Sequence, residues 1–174
     1  MTVVAPKTTP IPKTNVQATA VLKRLASQDG FIEGPNNDNP YGKAMGYNHQ
    51  PYCCYFVSWG FSCEHLLSLI NQTPHGYYNA AEFEQFAHDM KRTVPVSQIK
   101  LGDILLYGEK GGKPYHTGFA ASSIVPKVNL FPAWEANTSA DHNPTGSQAN
   151  GDGVHLRHRS PLWVLTVYRP PYTS

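Results

Sequence analysis

A run of apolar residues at helical spacing begins abruptly at Cys53, where a loop crowded with Pro, Asn and Gly ends. This junction constrains the fold more than any other stretch of the chain. Cys53, Phe56, Val57, Gly60, Cys63, Leu66, Leu67 and Ile70 recur at three- and four-residue steps, with Pro51 where proline is tolerated at a first turn. The spacing predicts a helix from about Cys53 to near Asn71 with one face buried. A cysteine in its first turn meets backbone N–H groups without intrahelical partners and the positive end of the macrodipole, and both favour the thiolate. Free cysteines are also among the most buried residue types, so the stretch alone reads as packing or as a nucleophile.

The segments around this helix fall into two classes. Met1 to Lys13, with Pro6, Pro10 and Pro12 among threonines, reads as a flexible N-terminal arm, and residues 14–174 as a single domain. Thr14 with Gln17 resembles a capping box, followed by the one-sided stripe Ala18, Val21, Leu22 and Leu25, which predicts a helix ending near Asp29-Gly30. Phe31 to Gln50 reads as a long loop, of the kind that is more often functional than accidental. Asn79, with Glu82 three residues on, predicts the cap of a third helix carrying Ala80, Phe83, Phe86, Ala87 and Met90 on one face. Beyond it the sequence turns to short runs of Val, Ile, Leu, Tyr and Thr. These predict strands at about 103–107, 115–125, 129–137, 155–158 and 162–168, with Gly111-Gly112 as a hairpin turn and 139–153 as a loop. Helices first and strands afterwards predict an α+β fold in which N-terminal helices pack on an antiparallel sheet of about five strands.

Composition narrows the function classes. A net charge of +2 with scattered Lys and Arg does not make a nucleic-acid footprint. Only 15% of residues are charged, against 10 Tyr, 14 Gly and 15 Pro, which suits an aromatic, amide-rich surface for sugar or peptide ligands. No apolar run is long enough to span a bilayer, so no membrane insertion is expected. The Thr/Pro/Val-rich beginning lacks a signal-peptide core, which leads to the expectation of a chain made in the cytoplasm. Three cysteines, two of them adjacent, read as reduced thiols.

A cysteine nucleophile needs a base, and the base needs an orienting group. Of eight histidines, His116 is the candidate base, at a strand start beside Gly118. Glu135 lies within the apolar run around Trp134, where a carboxylate needs a partner such as an imidazolium, and Asn137 two residues on is expected on the same strand face. A metal module built from Cys53, Cys54, Cys63 and His49 is opposed by helix geometry and by the absence of a second half-site, so no metal and no cofactor are expected.

These motifs together resemble one family. Tyr52-Cys53-Cys54-Tyr55-Phe56-Val57-Ser58-Trp59 is similar to the Trp-Cys-Ala-x-Phe-Val-Ser-Trp signature of CHAP domains, the cysteine, histidine-dependent amidohydrolases/peptidases with a papain-like fold. Gly102-Asp103-Ile104, Tyr115-His116-Thr117-Gly118 and Glu135-Ala136-Asn137-Thr138 resemble that family's later motifs in the right order. Glu33-Gly34-Pro35-Asn36-Asn37 is similar to the loop before the nucleophile in versions from phages and actinobacterial hosts. The resemblance implies Cys53 as nucleophile, His116 as base, Glu135 as orienting carboxylate and Asn137 as a supporting group. It places Cys54 where the family has alanine, and Tyr52 and Ala136 depart from its usual Trp and Gly. Tyr52, Tyr41, Tyr115 and Trp134 are the expected substrate-groove residues. The implied partner is bacterial peptidoglycan, cut at an amide bond by a monomeric phage-type lysin, with a catalytically silent wall-binding or virion domain as the alternative.

Overall fold

The structure is a computed structural model that describes residues 15–71, 73–124, 130–143, 146–147 and 149–173. The arm at 1–13 and Thr14 lie outside these residues. Four helices precede a five-stranded antiparallel sheet, the α+β arrangement expected from the sequence.

Helix α1 (Val16–Ala26) is capped by Asn15, whose side chain accepts from the Ala18 N–H at 3.1 Å, one residue later than the capping box read at Thr14. Its Ala18, Val21 and Leu25 are buried, as the stripe required. The segment read wholly as loop contains a short helix, α2 (Pro40–Ala44). Asn39 accepts from the Gly42 N–H at 2.7 Å and Pro40 takes a first-turn position, so Asn-Pro is here a helix start rather than a breaker.

Helix α3 (Cys53–Cys63) ends eight residues before the expected Asn71 (71 − 63 = 8). His65 adopts φ +57°, the His65 N–H donates to the Ser62 carbonyl at 3.0 Å and the Leu66 N–H donates to the Phe61 carbonyl at 2.8 Å. This is a Schellman stop made with histidine in place of glycine, which hides it from a reading keyed to Gly. Leu67–Leu69 then form a separate 3-10 turn. The helix is buried almost all round, from Cys53 to Ser58 and again at Gly60 and Phe61, so it forms a central rod and not a one-faced surface helix. Helix α4 (Ala80–Asp89) is capped by Asn79 as its sequence predicts, with bonds from the Ala81 and Glu82 N–H groups. Phe83 and Phe86 pack against Tyr168, but Met90 is exposed.

The strands are β1 (Ile104–Tyr107), β2 (His116–Ala120), β3 (Phe131–Thr138), β4 (Gly153–Arg159) and β5 (Val164–Tyr168), in the spatial order β4-β3-β2-β1-β5. Register divides them into two faces. Ile104, Leu106, Phe119, Trp134, Ala136 and Val154 join the core against the helices, while Leu105, Tyr107, Ala120, Phe131, Ala133 and Val167 join a second core on the other side. Covering both faces explains why β1 reads as the unbroken run Ile-Leu-Leu-Tyr instead of an alternation. Ahead of β1, buried Asp103 is clamped by Arg169 through two 2.8 Å bonds and accepts from the Lys100 N–H at 2.8 Å, which ties the C-terminal segment to the sheet.

Strands β2 and β3 pair only at Phe119↔Trp134 and Ala120↔Ala133. Toward His116 and Glu135 the ladder stops and the two strands fork. Helix α3 packs against both strands, while Gly60 receives α1. A Cβ at Gly60 would lie 2.4 Å from Leu25 Cδ2 and 3.0 Å from Leu25 Cγ, inside a fully buried contact. Gly60→Ala is therefore expected to lower unfolding free energy by about 1–3 kcal/mol, through overpacking, as measured by urea denaturation.

Candidate active site

The helix α3 start, the β2 start and the middle of β3 meet at this fork. Cys53 is the first residue of α3, capped by no side chain, so its N–H has no intrahelical acceptor and the thiol sits at the positive helix end. Its exposure is 5%. His116 Nε2 lies 2.8 Å from Glu135 Oε2, with His116 1% and Glu135 0% exposed. Nδ1 of His116 is buried without a hydrogen-bond partner of normal geometry, and Cys53 is the titrating group it interacts with besides Glu135. The order of groups is thus thiol, imidazole, carboxylate, with Nε2 committed to the acid and Nδ1 left for the sulfur.

Glu135 is held by more than histidine. Arg159, at the end of β4, donates from Nε to Oε1 at 2.8 Å and from Nη2 to Oε2, a two-pronged clasp on a carboxylate with no accessible surface. Its guanidinium also lies 5.3 Å from the Tyr107 ring centroid, and that ring stacks on His116 at 5.7 Å. Room for Glu135 is made by Gly118, where a Cβ would come within 2.7 Å of Glu135 Cγ.

The titrations follow from these contacts. Burial alone would raise the Glu135 pKa, but bonds and charge from Arg159, then from His116, override it and hold the acid at about 2. For His116, burial pushes down and the bonds and charges of Cys53 and Glu135 push up further, to about 9. Cys53 is held well below the ordinary thiol range, first by a hydrogen bond from Cys54 and, against the cost of burial, by the bond and charge of His116. The two sulfurs are 3.9 Å apart, and the Cys54 pKa is pushed well up by Cys53 and by burial, so Cys54 stays a protonated donor. The lowered thiol and the raised imidazole favour a thiolate–imidazolium pair, and the two titrate as a unit.

The structure brings together Cys53, His116 and Glu135. Asn137 is also buried, but it is the extra residue of a β-bulge between Ala136 and Thr138, with φ +57°. The bulge breaks the alternation that put it on Glu135's face, and its amide donates to the Ala149 carbonyl at 3.2 Å and to Asn150 Oδ1 at 3.3 Å. It holds the 149–150 loop and does not bond His116. The expected groove residues also separate. Tyr41 and Tyr52 are 0% exposed and stack on each other at 5.9 Å, with Phe56 and Trp59 against Tyr41, so both are core. Trp134 is buried on the helix-facing side of the sheet. Tyr115 alone of the four is on the surface, at 54% exposure. Arg159 was outside the sequence-based strand, although Arg157 and Arg159 at alternate positions are the signal of a cationic row along one face.

Among the described residues no cluster of three or more His, Cys, Asp or Glu could hold a metal ion, and no helix is long and apolar enough to cross a membrane. No family model and no curated protein matches the chain. Solved structures do: that of Ly7917 aligns over 88% of this chain at a TM-score of 0.50 and 13% identity. A second, of Ly7917 with the hydrolyzing product of MDP, aligns over 88% at 0.49 and 14%. The chain spans 62% and 63% of those chains, less than two thirds of their length. At these identities the likeness is one of fold.

Three outcomes are expected of the site. Arg159→Met strips the clasp from a buried carboxylate and should cost about 3–5 kcal/mol in urea unfolding. In the wild type, the stability supplied by Glu135 is present above its ordinary pKa of 4.5 and lost as pH falls toward about 2; that supplied by His116 is present below 6.5 and lost as pH rises through about 9. Separately, the iodoacetamide alkylation rate of Cys53, mapped by mass spectrometry, should stay high and nearly flat across neutral pH, whereas Cys63, whose pKa is raised by burial, should accelerate only in alkali. A Cys53 profile that climbs like an ordinary thiol would contradict the ion-pair assignment.

Proposed function

We propose that this chain is a cysteine-dependent amidohydrolase that cuts an amide bond of bacterial peptidoglycan. One observation carries the chemistry: a thiol at a helix N-terminus beside an imidazole whose other nitrogen is bonded, at 2.8 Å, to a fully buried carboxylate. Cys53 attacks the carbonyl carbon as thiolate. The oxyanion that forms is met by the Cys53 N–H, which has no intrahelical partner, and by the helix dipole. The imidazolium of His116 gives its proton to the departing amine nitrogen as the C–N bond breaks, leaving a thioester. Neutral His116 then takes a proton from water as its oxygen attacks the thioester carbon, and the C–S bond breaks to restore thiolate and imidazolium. Glu135 stays ionised throughout and holds the ring's orientation through Nε2. Asn137 supports the loop beside this assembly.

The substrate class comes from the resemblance of three motifs, in the right order, to those of CHAP domains, and the α+β fold agrees with it. The bond is either that between muramic acid and the first alanine or one within the stem or cross-bridge peptide, and a phage lysin is the reading that fits the motifs. The test is mass spectrometry of fragments released from purified peptidoglycans. Wild type should release either intact stems or split stems and bridges. Cys53→Ala and His116→Ala should remain folded and lose activity by at least about 10³-fold. Folded wild-type protein that releases nothing from any wall would favour a silent binding domain.

A further inference from the structure

We propose that the cavity beside His116 is the subsite for the amine half of the scissile amide, and that it selects amines bearing an apolar side chain. The proposal rests on the thiol mechanism above. The cavity, of about 320 Å³, is lined by Tyr107, Tyr115, His116, Arg159 and Trp163. Cys53 is not part of its lining. A group lodged there touches the imidazole and not the sulfur, and the imidazole is the proton donor to the departing nitrogen. The occupant is therefore attached to that nitrogen, on the leaving side of the bond.

The walls determine what fits. His116 and Tyr107 are buried and stacked on each other, so they form the inner end. Tyr115 and Trp163 keep 54% and 51% of their surface in water, which leaves two large aromatic rings at the mouth with no protein packed over much of their surface. Neither is loosely carried. The Tyr115 N–H donates to the Tyr107 carbonyl at 3.0 Å, and the Gly108 N–H donates to the Trp163 carbonyl at 3.0 Å, so both rings hang from the end of β1. Among the described residues, the one charged wall residue, Arg159, already has its guanidinium on Glu135, and no acidic side chain lines the space. Aromatic walls, a spent cation and no acid make a pocket for an alkyl or ring side chain. Ammonia leaving from a primary amide would fill none of it, so secondary amides with an apolar residue on the amine side are the favoured class.

By microscopic reversibility, an amine that fits the pocket should also attack the thioester. Its nitrogen bonds to the acyl carbon, the C–S bond breaks to thiolate, and its proton passes to His116. The experiment digests purified peptidoglycan with equal concentrations of leucinamide and glycinamide and counts fragments capped by each. Wild type is expected to favour leucinamide by about tenfold or more, and Trp163→Ala and Tyr115→Ala to bring the ratio toward one. A wild-type ratio near one, or a ratio unchanged in both variants, overturns the subsite. A second reading needs no turnover: leucinamide added to Cys53→Ala should shift the Tyr115 and Trp163 ring resonances in NMR spectra, and glycinamide should not. Absent shifts at both rings also overturn the subsite. Failure of wild type to cut any wall bears only on the mechanism reading.

Discussion

The structure depends on one buried negative charge. Glu135 has no accessible surface, and a carboxylate in that position is tolerable only because its oxygens are taken by His116 on one side and Arg159 on the other. That requirement reaches outward. Arg159 must be at the end of β4, Tyr107 must lie under the guanidinium, and residue 118 must be glycine so that the Glu135 chain has room. Together with Cys53, the same charge raises the pKa of His116, and His116 in turn adds to the Cys54 bond in lowering that of Cys53. A site that looks like a pair of reactive residues is therefore a chain of four groups, in which His116 links Cys53 to Glu135 and Glu135 links His116 to Arg159.

Much of this was legible in the sequence because it follows short-range rules. Asn79 announced α4, the apolar stripe announced α1, and Gly111-Gly112 announced the β1–β2 hairpin. Cys53, His116 and Glu135 were legible for a different reason: each is a residue whose local setting is costly or unusual without a partner. The failures share a cause as well. Helix α3 was expected to run on because its stop uses His65 in a left-handed conformation, where composition leads one to look for glycine. Tyr41 and Tyr52 read as groove residues because a tyrosine near a nucleophile reads as a contact; whether its ring faces water or the core is decided by tertiary packing, and here Phe31, Phe56 and Trp59 surround Tyr41, which stacks on Tyr52.

Asn137 and Arg159 show where strand logic fails and where it was cut short. Alternation would place Asn137 beside Glu135, but a bulge is an insertion into the count, and nothing in Glu-Ala-Asn-Thr marks it. Arg159 obeys alternation; it was missed because a polar strand offers no apolar pattern to extend. A buried carboxylate demands partners for both oxygens, and an imidazole alone leaves one of them unaccounted for.

The groups that make the thiolate come from four segments far apart in the chain, from α3 to the last residue of β4. A chain in which β4 is not yet paired lacks the guanidinium and the strand pairing that seat Glu135, and its Cys53 keeps only the help of the helix start and of Cys54. The full set of contacts that lowers the thiol is thus a property of the completed sheet. The same dispersal means that β4, which does not carry the sulfur, acts on it through Arg159, Glu135 and His116 in turn.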